Sequence, residues 1–245
     1  MKDIFRTIKW YVKFMGRFQL SWGQLKKANK LKETSPDQFE DYTFKLMRDY
    51  CLARIKDSGS TVDVFGEENL PEGRNVLFVC NHQGDFDIPI LVGAVPRNKR
   101  FIVKIELSKI RIIKGWLDCI DCLFIDRNDM KQSLKIILQA IDLLKNGKDV
   151  VIFPEGTRSR SSELGEFKQG SFKLAIKSNV PIVPITMDGS YKIKEMNNNK
   201  IKPAHVQVYI HEPIYTENLS KEEKNQLHVT VREVINNKLQ EIKTN

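Results

Sequence analysis

The chain has 245 residues, 41% of them hydrophobic and 29% charged, and a formal net charge of +9. That balance excludes a disordered or fibrous chain and supplies enough apolar surface for a full sheet-and-helix core. No apolar run reaches the roughly 18 residues of a spanning helix, no cleavable signal is evident, and four cysteines do not make a disulfide framework in a chain of this length.

The excess charge sits at the N-terminus, where residues 1–32 carry nine Lys and Arg against Asp3 alone. Such asymmetry points to an anionic surface, either a membrane or a nucleic acid. On a helical wheel Ile4, Ile8, Tyr11, Met15, Phe18 and Trp22 share a narrow sector, and Lys2, Arg6, Lys9, Lys13 and Arg17 cluster opposite. The pattern fits a helix lying in a membrane interface with its cations among the headgroups. The alternative is an ordinary amphipathic helix docked on the domain's own core. Segment 23–33 continues or answers this helix. Ser35-Pro36 then starts another, with Ser35 as N-cap and Gln38 at the third position, running to about Lys56. Phe39, Leu46, Tyr50 and Ala53 are its inward candidates. Residues 1–56 are thus expected to be a helical membrane-docking segment and 57–245 an α/β domain.

From Asp57 the chain is turn-rich, with a short edge strand near Val62–Val64. Apolar runs then alternate with helical patterns. Strands are expected at 75–80, 100–104, 123–125, 149–153, 182–186 and 206–210, and helices at 88–95, 107–117, 129–145, 167–178 and 221–242. The helix over 129–145 takes Met130, Leu134, Ile137, Leu138, Ile141 and Leu144 as its apolar set. The alternation predicts an α/β fold, a mainly parallel sheet flanked by helices. Cys51 and Cys80 fall in apolar patterns, and Cys119 and Cys122 have no second pair at zinc spacing, so all four are expected to be structural. His205 and His211 are expected to be structural or exposed.

Two strand ends carry chemistry. Val76–Cys80 runs into Asn81-His82-Gln83-Gly84-Asp85-Phe86-Asp87, placing His82 just past a core strand, where α/β folds collect catalytic groups. Gly84 lets the turn fold tightly, so an Asp87 oxygen can reach one imidazole nitrogen and leave the other free as a general base. The same residues also suit a solvated turn that caps the next helix. The second strand, Val150–Phe153, ends in Pro154-Glu155-Gly156-Thr157-Arg158-Ser159.

Asn-His-x4-Asp followed by Phe-Pro-Glu-Gly-Thr-Arg-Ser resembles the glycerolipid acyltransferases, the 1-acylglycerol-3-phosphate acyltransferase family. Phe124-Ile125-Asp126-Arg127, Phe167-Lys168-Gln169-Gly170 and Val180-Pro181-Ile182-Val183-Pro184-Ile185 extend the resemblance over about residues 75–186. It implies transfer of a fatty acyl group from acyl-CoA or acyl-carrier-protein to the sn-2 hydroxyl of lysophosphatidic acid. His82 would be the base and Asp87 its orienter, and Arg158 would grip the acceptor's phosphate with help from Arg127. Lys104 is the candidate for the oxyanion, with backbone amides of the Gly156 turn as rivals. Glu155 either binds the acceptor or holds Arg158, the second being favoured. Asn81, Gly156 and Thr157 complete the substrate-binding set. One position departs from the family: Asp121 stands where a Gly is usual, which leaves the acceptor's identity open.

No metal or other cofactor is expected, and the partners implied are lysophosphatidic acid, the acyl thioester and an anionic membrane surface. The location implied is peripheral, on the cytoplasmic face. A nucleic-acid-binding module fits poorly, because the N-terminal aromatics segregate from the cations. A hydrolase would share the His/Asp pair, although the Gly-x-Ser-x-Gly elbow is absent.

Overall fold

The computed structural model describes residues 2–244. Seven strands form one sheet: β1 (Thr61–Phe65), β2 (Leu77–Cys80), β3 (Lys99–Lys104), β4 (Leu123–Ile125), β5 (Asp149–Ile152), β6 (Ile182–Asp188) and β7 (His205–Ile210). Their order is β1-β7-β6-β2-β5-β3-β4, and every pair is parallel except β6 with β7. The helices are α1 (Lys2–Leu20), α2 (Trp22–Thr34), α3 (Pro36–Ser58), α4 (Asp87–Gly93), α5 (Arg111–Cys119), α6 (Met130–Lys145), α7 (Lys173–Ser178) and α8 (Lys221–Thr244).

The central strands are buried on both faces, which is why they read as continuous apolar runs. Leu77 and Val79 of β2 pack with α6, α7 and α8 on one side. Phe78 and Cys80 face the other way, toward α1, α3 and α4. Strand β2 lies between β5 and β6, so the loops after β2 and β5 leave adjacent strands at the same end of the sheet. This is where parallel sheets place ligands.

Helix α1 does not present its faces quite as the wheel suggests. Its docking flank is Trp10, Phe14 and Phe18, between the two faces drawn from sequence. Trp10 is buried, stacks on Phe14 with centroids 5.3 Å apart and leans on Phe86 at 5.6 Å. The guanidinium of half-buried Arg54 lies about 5 Å from the rings of Trp10, Phe14 and Phe86, a favourable place for a cation because ring faces carry negative charge. Phe18, assigned outward, turns in against Tyr50 with centroids 4.9 Å apart. The basic face is partly committed as well, since Lys13 and Arg17 both pair with Asp57 of α3. What remains outward is Ile4, Phe5, Ile8, Tyr11, Val12 and Met15, an exposed apolar stripe. No helix among the described residues is long and apolar enough to cross a membrane.

Three local expectations change. Ser35 makes no side-chain cap bond, although Pro36 does open α3. In α6 the buried side is Ile136, Ala140, Ile141 and Leu144, while Met130, Leu134 and Leu138 face outward. The helical period was right, but the buried stripe lies to one side of the most apolar one. The stretch expected as helix from 167 begins as a 3-10 turn, Gln169–Phe172, before α7. All four cysteines are free and buried, and burial pushes the Cys51 and Cys122 thiols up to about 12.

Candidate active site

Helix α4 begins at Asp87, directly after the tight His82 loop. His82 Nδ1 and Asp87 Oδ2 are 2.6 Å apart. The same oxygen accepts the amides of Gln83 at 2.7 Å and Gly84 at 2.9 Å. Ser190, on the turn after β6, donates its hydroxyl to Asp87 Oδ1 at 2.5 Å. Asp87 is fully buried, so its charge is held by four donors rather than by water. Because Asp87 is an acceptor, the proton of the imidazole belongs on Nδ1, and Nε2 carries the lone pair. The His82 ring lies flat against Phe153, with centroids 4.1 Å apart and planes 20° from parallel.

Glu155 does not hold Arg158. Its Oε1 accepts the backbone amide of His82 at 2.6 Å, and its Oε2 accepts Gly165 N at 3.0 Å. It therefore ties the loop after β5 to the His82 loop. Burial pushes its carboxyl above the usual carboxylate range. The two loops are also joined through the backbone, with Ser159 N donating to His82 O at 2.8 Å and Arg160 N to Gln83 O at 3.1 Å.

Arg158 is held by Asp85, and Lys194 takes the other oxygen of the same carboxylate. Arg127 is exposed and braces the β5 loop by donating to Gly156 O. Asn81 is a correction. It is buried, and its amide bridges to β6 by donating to Met187 O at 2.9 Å and accepting Met187 N at 2.8 Å. Neither end is left for a substrate. Lys104 is exposed at the end of β3, and Thr157 is exposed in its loop. The Gly156 amide donates to Phe153 O at 3.0 Å, so it is not available as an oxyanion donor. Gly156 has a φ of 71°, and a Cβ there would stand 2.7 Å from Lys168 Nζ. The positive φ favours glycine, whereas the Lys168 ammonium is the far end of a flexible side chain and can move aside.

Asp121 lies at the end of α5 rather than at the site. Its φ is 49°, the left-handed conformation that glycine adopts without strain and Asp tolerates better than most residues. Its carboxylate is 3.9 Å from buried Arg100, on the α3 side. The departure from the family is thus a backbone matter. Sequence reasoning missed Ser190, Lys194 and Glu195; the only signal was the polar turn after β6, whose partners lie about a hundred residues away in sequence.

A family model described as Acyltransferase matches residues 61–188, more than half of the chain. A chloroplastic 1-acyl-sn-glycerol-3-phosphate acyltransferase of Brassica napus is 37% identical over 62% of this chain and 45% of its own length. A probable enzyme of the same name from Mycoplasma pneumoniae is 36% identical, over 57% of its length. The chain thus spans about half the length of these two curated relatives. The Borreliella burgdorferi 1-acyl-sn-glycerol-3-phosphate acyltransferase is 29% identical over 82% of this chain and 80% of its own. The crystal structure of the 1-acyl-sn-glycerophosphate acyltransferase PlsC from Thermotoga maritima superposes with a TM-score of 0.86. It is 27% identical and covers all of this chain and 98% of that one. With its motifs joined in one hydrogen-bonded network and a family model spanning β1 to β6, the chain belongs to the acyltransferase family.

Proposed function

We propose that this protein transfers a fatty acyl group from acyl-CoA or acyl-carrier-protein to the sn-2 hydroxyl of lysophosphatidic acid, giving phosphatidic acid. The observation that carries the reading is the 2.6 Å contact between His82 Nδ1 and buried Asp87, at the strand end next to the Arg158 loop. His82 Nε2 takes the hydroxyl proton as the oxygen attacks the thioester carbonyl. Asp87 stabilises the imidazolium that forms, and positioned base catalysis of this kind is worth about 10²–10⁴-fold. The tetrahedral oxyanion collapses with expulsion of the thiolate, which receives the proton back from His82. Lys104 and the Thr157 amide are the donors to test for the oxyanion.

The exposed stripe of α1, Ile4 to Met15, is assigned to a membrane surface, with Lys2 and Lys9 among anionic headgroups. Both substrates carry acyl chains that gain roughly 0.8 kcal/mol per methylene on leaving water, so the reaction belongs at that surface. The decisive assay incubates the protein with lysophosphatidic acid and a long-chain acyl thioester and quantifies phosphatidic acid. Product that is lost in His82→Ala supports the reading. Thioester consumption without lipid product would mean a hydrolase.

A further inference from the structure

We infer that Lys194 and Arg158 together form a two-cation seat for the acceptor's phosphate, and that the Asp85 carboxylate occupies this seat until the phosphate displaces it. The inference deepens the lysophosphatidic acid reading and rests on it. Arg158 Nη1 meets Asp85 Oδ1, and Lys194 Nζ meets Asp85 Oδ2. The cations come from loops after β5 and β6, the two neighbours of β2, so they close on the His82 loop from either side. A carboxylate offers two oxygens and one charge. A phosphate monoester offers three peripheral oxygens and up to two charges near neutral pH, and so competes well for the same pair of cations.

Accessibility separates this cluster from a structural ion pair. The side chains of Asp85, Arg158 and Lys194 are 31%, 30% and 18% exposed, whereas Asp149, clasped by Arg97, is 6% exposed. The backbone beneath Asp85 is fixed independently of its side chain. Glu195 Oε1 accepts Asp85 N at 2.7 Å, and Glu195 Oε2 lies buried behind it without a partner. Gly84 leaves room for that carboxyl, since a Cβ there would stand 2.6 Å from Glu195 Oε2. The Asp85 side chain can therefore swing to solvent while the Gln83 and Gly84 amides stay on Asp87. Glu195 Oε1 also lies 3.7 Å from Arg158 Nη1, and burial pushes the Glu195 carboxyl above its usual range. The seat would select acceptors that bear a phosphate over neutral monoacylglycerols.

The test is equilibrium binding of lysophosphatidic acid to the full chain in detergent micelles, without acyl donor, with monoacylglycerol as the phosphate-free control. Lys194→Met should weaken lysophosphatidic acid binding about tenfold, roughly one charged hydrogen bond, and leave monoacylglycerol binding unchanged. Asp85→Asn should tighten lysophosphatidic acid binding several-fold, because the competing charge is gone. A purely structural ion pair predicts weaker or unchanged binding for Asp85→Asn, and either result overturns the inference. So does unchanged binding in Lys194→Met, or a wild-type protein that does not discriminate between the two lipids. Thermal unfolding shows whether each variant is folded; Lys194→Gln and Asp85→Ser carry the same test should either substitution fail to fold. Tight, phosphate-dependent binding with no phosphatidic acid on adding donor would refute the proposed reaction while leaving the seat intact.

Discussion

Ser190 gives the most direct test of how the base is held. Its hydroxyl donates to Asp87 Oδ1 at 2.5 Å in a fully buried setting, and Ser190→Ala leaves that oxygen without a donor. A hydrogen bond to a charged acceptor is worth about 1.5–3 kcal/mol, so the variant should lose roughly 2 kcal/mol of stability. For a domain of this size that is a drop in Tm of roughly 4–8 °C. Asp87 Oδ2 keeps His82, Gln83 and Gly84, so the base is loosened rather than lost, and kcat should fall about 3–10-fold with KM little changed. The more specific consequence is in the pH profile. A carboxylate with one donor fewer favours the imidazolium more strongly, so the acidic limb of kcat/KM should move to higher pH. Ser190→Thr, which keeps the hydroxyl, should restore that limb. Loss of stability with the limb unmoved would refute the view that Ser190 acts through Asp87 on His82.

Trp10→Ala removes a buried ring that leans on Phe86 of the His82 loop and should cost about 3–5 kcal/mol by thermal or denaturant unfolding; a loss below 1 kcal/mol would mean that α1 is not docked as described. Ile8→Asp with Val12→Asp, both on the exposed stripe, should change stability by less than about 1 kcal/mol yet abolish flotation with anionic vesicles, and retained flotation would remove α1 from the membrane assignment. Asp121→Gly relieves the left-handed backbone but adds freedom to the unfolded chain, so stability should change by under about 1 kcal/mol and acceptor preference not at all; a switch of acceptor in product analysis would return Asp121 to the site. Burial lowers the pKa of His211 from 6.5 to about 4, with Thr186 Oγ1 2.7 Å from its Nε2. The unfolded chain then takes up a proton that the folded one refuses, so this contribution, at most about 2–3 kcal/mol, is complete above pH 6.5 and is lost as pH falls toward 4. Unfolding titrations of His211→Gln should show a flatter acid limb, and an unchanged limb would contradict the assignment.

Periodicity and strand-end chemistry, both local properties, were enough to determine the alternation of strands and helices and the placement of His82 and Arg158 at strand ends. The spacing to Asp87 made their pairing one of two readings beside a helix-capping turn, while Gly84 keeps a negative φ and instead makes room for Glu195. The tertiary structure alone decided what each remaining polar group is spent on. Asn81 could not be known to bridge to Met187, nor Glu155 to hold the His82 amide, because these partners come from other strands and their loops, far away in sequence. Lys194 and Ser190 reach the site only because β6 pairs with β2, and no sequence pattern encodes that register. The same limit applies to α1. A helical wheel separates apolar from charged residues, but the flank that docks is set by the hollow offered by α3 and Phe86, which is a property of the folded surface.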